Sequence, residues 1–319
     1  MTGASQDPIT ESKRYQAVLE MAEFAETNGF NFINLEEHHC AENGWLGSPI
    51  TLASMIAART KTIRIGVTAL LAPLYDPIRL AEDIAVIDLV SGGRFSFVAG
   101  MGYRPIEYHA MDKDWSKRGQ LMDQMIDTLL KAWTGEPFEY KGKTVRVSPT
   151  PLSKPHPFFF VGGMSAAAAK RAAKFALPFY PAMPRPDLEA IYHEALKQHG
   201  KQGFVYSPDQ ANTMSFIDNN PEQAWQELGP YFLNEMNEYS SWKAEGVARP
   251  AEDHVDNIED IKRSGRFEII TPAQCLARLE SDPDATIVHH PLAGGIPVDR
   301  AWKSLKLFQQ SVLKRLKNT

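Results

Sequence analysis

The sequence predicts an α/β fold, a TIM (β/α)8 barrel with loop insertions whose first strand is missing or degenerate. Three observations predict it. Short apolar runs alternate with longer helical patterns along the chain, the pattern of a parallel sheet covered by helices. The length, 319 residues, suits one barrel with insertions. No low-complexity linker divides the chain, so residues 1–319 read as a single domain.

Taken in order, residues 1–10 offer only Met1 and Ile9 as sizeable apolar side chains, too few for a buried strand. A helix is predicted over 12–28, stopped by Gly29 at a C′ position. The apolar run 32–35 is the first recognisable strand, followed by a helix over 48–60 and a strand over 63–69. Asp76-Pro77 caps a helix over 78–90, since aspartate accepts from the first turn and proline suits N1. Next come a strand over 95–99 and a helix over 116–133. Residues 137–157 break the rhythm and contain a hairpin over 138–147 that turns at Lys141-Gly142. A strand over 158–161, a helix over 166–175, a strand over 177–180 and a helix over 187–199 resume it. A strand over 212–217 and a helix over 221–239 follow. Residues 240–266 are polar and aromatic with little periodicity and read as a second excursion, of the kind that often carries function. Thr271-Pro272 caps a helix over 272–279, a strand is predicted over 286–289, and a helix over 299–316 ends the pattern. Seven strands result where a closed barrel needs eight.

Composition narrows the function. Apolar residues make up 43% and charged residues 23%, which excludes disorder and fibrous classes. Mean hydropathy is −0.32 and no apolar run approaches the roughly 18 residues of a membrane helix. The net charge is −5, which supplies no basic footprint for nucleic acid. Residues 1–16 lack the features of a signal peptide. The two cysteines, Cys40 and Cys275, have no metal-site spacing and make no disulfide framework, so a reduced, cytoplasmic setting is expected.

The strand ends carry the chemistry, because active sites of βα barrels sit at the C-terminal face. Glu36-Glu37-His38-His39 follows the 32–35 strand. Adjacent side chains rarely share a metal, so the motif reads as an acid–base histidine or as a pair of structural histidines. Gly162-Gly163-Met164-Ser165 precedes an alanine-rich helix opening at Ala166. Ser165 is a natural N-cap, and the exposed first amides would cradle an anion such as a phosphate; the bland alternative is a tightly packed strand–helix turn. Gly100-Met101-Gly102 lacks the third glycine of a dinucleotide fingerprint and marks a close backbone approach. Trp45, Tyr103, Tyr108, Trp115 and Trp242 form either an apolar pocket or loop packing.

In their order and spacing these stretches resemble the bacterial luciferase-like monooxygenase family, the flavin-dependent TIM-barrel oxidoreductases. The resemblance runs from Tyr15 to Leu316, through Leu35-Glu-Glu-His-His39, Pro73-Leu-Tyr-Asp-Pro-Ile-Arg-Leu-Ala-Glu-Asp83 and Asp88-Leu-Val-Ser-Gly-Gly-Arg-Phe95. Gly102-Tyr-Arg-Pro-Ile-Glu-Tyr108, Val161-Gly-Gly-Met-Ser165 and Ser304-Leu-Lys-Leu-Phe308 add to it. It implies reduced FMN supplied by a separate flavin reductase, used with O2 on a small organic substrate, in a homo- or heterodimer. The alternatives are hydride transfer with the deazaflavin coenzyme F-420, or a non-catalytic flavin-binding relative. It also implies that His38 is the active-site histidine and Glu107 an acidic neighbour of the flavin. Thr68 and Ala69 fall where the family often has a non-prolyl cis peptide under the flavin ring. Gly162, Gly163, Met164, Ser165 and Ala166 fall on the flavin phosphate site. Met101 stands where many relatives place a phosphate-binding arginine, and nearby Arg104 is a candidate substitute.

Overall fold

A computed structural model describes residues 2–3, 7–207, 213–242, 254–282 and 284–316. Helix α1 (Pro8–Asn28) begins four residues before the predicted start, because the Asp7 carboxylate accepts from the Ile9 and Thr10 amides and Pro8 fits N1. It ends at Gly29 in the left-handed region, as the sequence predicts. Strand β1 (Phe32–Leu35), helix α2 (Pro49–Arg59), strand β2 (Arg64–Leu70), helix α3 (Pro77–Ser91) and strand β3 (Phe95–Ala99) follow. Asp76 caps α3 through the Ile78 and Arg79 amides. Short α4 (Pro105–Ala110) and then α5 (Arg118–Ala132) lead to the antiparallel hairpin of β4 (Phe138–Tyr140) and β5 (Lys143–Val145). That hairpin turns at Lys141 and Gly142, both with positive φ, as expected for its sequence.

The chain then re-enters the parallel sheet as β6 (Phe158–Gly162), with α6 (Ala166–Phe175), β7 (Phe179–Tyr180) and α7 (Pro186–Gln198) behind it. Strand β8 (Met214–Ile217) and helix α8 (Pro221–Ser241) follow; residue 212 of the predicted strand lies outside the described residues. Within the second excursion, whose residues 243–253 also lie outside them, the structure places α9 (Ile258–Ser264). It also places a strand that the sequence reading omits, β9 (Phe267–Ile270). Helix α10 (Pro272–Ser281) opens on a capping box between Thr271 and Gln274. The strand predicted over 286–289 reduces to a single bridge at Val288. The last predicted helix divides into α11 (Val298–Phe308), a π-turn over Gln309–Leu313, and α12 (Lys314–Leu316).

Parallel pairing runs β1-β2-β3-β6-β7, with a bridge from Phe179 to Val205. Strands β8 and β9 pair in parallel, and Met214 bridges to Val288. No strand precedes α1 among the described residues. The strands of the larger sheet alternate, with a register shift in β2 between Thr68 and Leu70. Ile33, Leu35, Ile65, Val67, Phe97 and Phe159 face the helices, and Phe97 stacks on Phe159 at 4.8 Å with an interplanar angle of 3°. Their neighbours face inward, where packing is incomplete: Phe32 is 44% and Phe158 47% exposed. A cavity of about 1300 Å³ opens there, lined by Phe32, Asn34, Thr68 and Phe160 on one side and by Met21 and His290 on the other. It lies where a first strand would sit between β1 and the segment at Val288.

Before α1, Thr2 and Gly3 dock on the segment at Gly294. The Gly294 amide donates to Thr2 Oγ1 at 2.6 Å and to Glu235 Oε2 at 2.7 Å, and Arg14 donates to the Thr2 carbonyl at 2.6 Å. Gly294 needs its missing side chain, since a Cβ would lie 1.9 Å from the Tyr231 carbonyl oxygen.

His289 sets a pH dependence. Its ring lies 4.5 Å from Phe308 and 5.8 Å from Phe30, and its Nε2 has no hydrogen-bond partner. Burial pushes its pKa down to about 4. The unfolded chain therefore takes up this proton near pH 6.5 and the folded chain only near 4. Stability from this group is full above about pH 6.5 and is lost as pH falls toward 4, by at most about 3 kcal/mol. Urea midpoints at about pH 7 and about pH 4.5 should fall less for His289→Leu than for the native chain; equal falls would contradict this.

Candidate active site

The centre of the site grows out of the loop after β1. The His38 amide donates to the Leu46 carbonyl at 3.1 Å, which folds residues 38–46 back over the strand end. Glu37 turns inward and ties this loop to the end of β2. Its carboxylate accepts from the Leu71 amide at 2.6 Å, from the Tyr75 hydroxyl at 2.5 Å and from His39 Nε2 at 2.9 Å. Glu37 and His39 thus make a structural pair, and His38 is left to pair with Glu107.

Glu107, in the first turn of α4, is fully buried. Its Oε1 lies 2.9 Å from His38 Nδ1, accepts the His39 amide at 3.0 Å and sits 3.4 Å from Arg104 Nη1. A carboxylate there favours the tautomer with the proton on Nδ1 and leaves Nε2 as the acceptor. That Nε2 lies 3.0 Å from the Tyr103 hydroxyl. The other carboxylate oxygen of Glu107, Oε2, is buried with no hydrogen-bond partner. Rings surround the imidazole: Trp242 at 4.8 Å, Tyr103 at 5.2 Å, Trp45 at 5.5 Å and Tyr239 at 6.1 Å between centroids. His38 is consequently only 7% exposed.

Two expectations change. Arg104 was a candidate to replace a phosphate-binding arginine, but its guanidinium donates to the His39 carbonyl at 2.5 Å and the Cys40 carbonyl at 3.3 Å. It also lies 4.1 Å over the Trp242 ring. Its 8% exposure and these partners make it a brace of the His38 loop. The aromatic group also divides. Tyr108 and Trp115 meet edge to face at 5.1 Å, and the Tyr108 hydroxyl donates to the Met101 carbonyl at 2.6 Å, so these two are packing residues. Trp45, Tyr103 and Trp242 surround His38, and they are joined by Tyr239, which the sequence reading did not single out. Its only signal was its place at the end of the 221–239 helical pattern.

At the second strand end, the peptide between Thr68 and Ala69 is cis. Met101 packs against the apolar core and brings no charge. Gly162, Gly163 and Met164 are half-buried, and Ser165 caps α6 by accepting the Ala168 amide at 3.3 Å. At Gly163 a Cβ would lie 2.7 Å from that of Ala168, so only glycine lets this turn close onto the helix. The Ala166 and Ala167 amides point out of the exposed first turn, with the positive end of the helix behind them. This donor set fits the phosphate of a flavin nucleotide. The cavity described above reaches Thr68 and Tyr180, and its lining includes neither His38 nor the Ser165 turn.

Ser165→Asp keeps a good N-cap but sets a carboxylate against the bound phosphate. With the helix end worth up to about 2 kcal/mol and each charge-assisted hydrogen bond about 1.5–3 kcal/mol, FMN affinity should fall at least about tenfold. Riboflavin has no phosphate and should be nearly unaffected. Titrating both flavins against the variant checks this, and equal losses would place the phosphate elsewhere.

The parallel sheet thus carries the buried Glu107–His38 pair after β1 and the Ser165-capped start of α6 after β6. The family model for luciferase-like monooxygenases matches residues 1–294. The chain belongs to the luciferase-like monooxygenase family. It is 26% identical to an alkanal monooxygenase alpha chain from a Kryptophanaron alfredi symbiont, covering 94% of this chain and 92% of that one. In fold it matches a monooxygenase from Streptomyces bottropensis with a TM-score of 0.72 at 20% identity, over 97% of this chain and 96% of that one. It also matches the oxygenating constituent of 3,6-diketocamphane monooxygenase from Pseudomonas putida, solved in complex with FMN. There the TM-score is 0.67 at 17% identity, over 98% and 94% of the two chains.

Proposed function

We propose that the protein is an FMN-dependent monooxygenase that uses O2 on a small organic substrate with an apolar body, and receives its reduced FMN from a separate flavin reductase. The observation that carries this reading is the Glu107–His38 pair, buried and walled by aromatic rings after β1, in a sheet that also carries the Ser165 turn after β6. FMN, when bound and reduced, supplies the electrons and the reaction with oxygen. The chain's own residues do the rest. The Ser165 hydroxyl and the Ala166 and Ala167 amides hold the phosphate, and the end of β2 at Thr68 and Ala69 supports the ring. Glu107 fixes the His38 proton on Nδ1, so that Nε2 can take or return a proton during turnover. Trp45, Tyr239 and Trp242 keep water from that nitrogen and offer an apolar wall to the substrate. Substrate turnover should depend on both reduced FMN and O2, measured on a panel that starts with straight-chain alkanals. Turnover that persists without oxygen, with reduced coenzyme F-420, would instead identify a hydride-transfer enzyme. Flavin binding with no turnover on any substrate would identify a non-catalytic relative.

A further inference from the structure

Both ring nitrogens of His38 are taken. Nδ1 lies 2.9 Å from Glu107 Oε1 and Nε2 lies 3.0 Å from the Tyr103 hydroxyl, while Trp45, Trp242 and Tyr239 cover the rest of the ring. A proton therefore has no open path from Nε2 to a ligand except through the Tyr103 hydroxyl. Tyr103 is hydrogen-bonded in turn to Tyr239 on α8. A phenolic oxygen donates once and accepts twice, so the single Tyr103 proton can swing from Tyr239 to His38 Nε2 and leave a lone pair for a third partner.

We propose that Tyr103 is the group through which His38 exchanges its proton with the ligand. The proposal rests on the acid–base reading of His38 above. In the step, the Tyr103 O–H bond breaks as its proton moves to Nε2, and the phenol oxygen takes a proton from the substrate at the same time. One proton leaves the substrate, one arrives on the imidazole, and Tyr103 stays neutral throughout. The new positive charge lies beside the Glu107 carboxylate. The surroundings agree with a relay that stores no charge: burial, together with Tyr239, Glu107 and Glu36, pushes the Tyr103 phenol far above its ordinary range and disfavours the phenolate. Sequence reasoning marked Tyr103 only as one of several loop aromatics; its pairing with His38 needs the fold that brings the loops after β1 and β3 together.

Tyr103→Phe keeps the ring and removes only the hydroxyl. In flavin-free protein with ¹⁵N-labelled histidine, the His38 Nε2 signal should move in this variant while the other histidines stay in place. In turnover of straight-chain alkanals with reduced FMN and air, kcat should fall at least about tenfold with KM changed by less than about threefold. The double variant His38→Ala/Tyr103→Phe should be no slower than His38→Ala alone, because the hydroxyl acts only through the imidazole. An unmoved Nε2 signal, or losses that multiply in the double variant, would overturn the proposal. If the native chain turns over no alkanal, the alkanal probe has failed, and the nitrogen signal alone decides the role of Tyr103.

Discussion

His38→Ala is expected to lower kcat by at least about tenfold, and by up to the roughly 10²–10⁴-fold that a positioned acid–base group contributes. FMN affinity should change little, because the proposed phosphate donors at Ser165–Ala167 follow a different strand. The fold should also persist. The imidazole is packed among Trp45, Tyr103, Tyr239 and Trp242, and its removal leaves a cavity in a loop region while the sheet packing of Phe97 on Phe159 is untouched. Steady-state turnover beside a flavin titration separates the two effects. An unchanged kcat would remove His38 from the mechanism, and a parallel loss of FMN binding would make it a binding residue.

The second large effect is on stability. Glu107 accepts from His38 Nδ1, the His39 amide and Arg104, all from within the protein. Glu107→Leu would leave the buried Arg104 guanidinium without its carboxylate. Breaking a buried ion pair from one side costs about 3–5 kcal/mol. That is a large share of a typical stability of about 5–15 kcal/mol. Glu107→Gln keeps one acceptor oxygen and should cost distinctly less, with turnover still lowered because the imidazole loses its charged partner. Urea unfolding of the two variants checks the order, and equal losses would show that the carboxylate's charge is irrelevant to the fold.

Much of this site could be read in the sequence because it sits where strands stop. Apolar runs such as Phe95–Ala99 are short and bounded by glycine, so their ends, and the polar residues beyond them, are marked by composition. The cap at Ser165 and the hairpin turn at Lys141-Gly142 were legible for the same reason: local chemistry dictates them. Strand β9 was not, because Phe-Glu-Ile-Ile lies directly before the Thr271-Pro272 helix start and at the end of a polar stretch. The 286–289 run reads as a full strand, yet among the described residues only Val288 bridges, and the run lines the cavity. Arg104 shows the limit most clearly. Its spacing from Met101 suggested a phosphate ligand, and only the fold of the 38–40 loop reveals the two carbonyls that hold it.

The central claim is that the Ser165 turn and the Glu107–His38 pair serve one bound FMN. A difference map from crystals soaked in FMN tests it most directly. Phosphate density is expected against the Ala166 and Ala167 amides and the Ser165 hydroxyl, with the flavin ring over Thr68 and Ala69 on the side of His38 and Tyr103. Phosphate density away from the first turn of α6, or a ring away from that side, would contradict the claim.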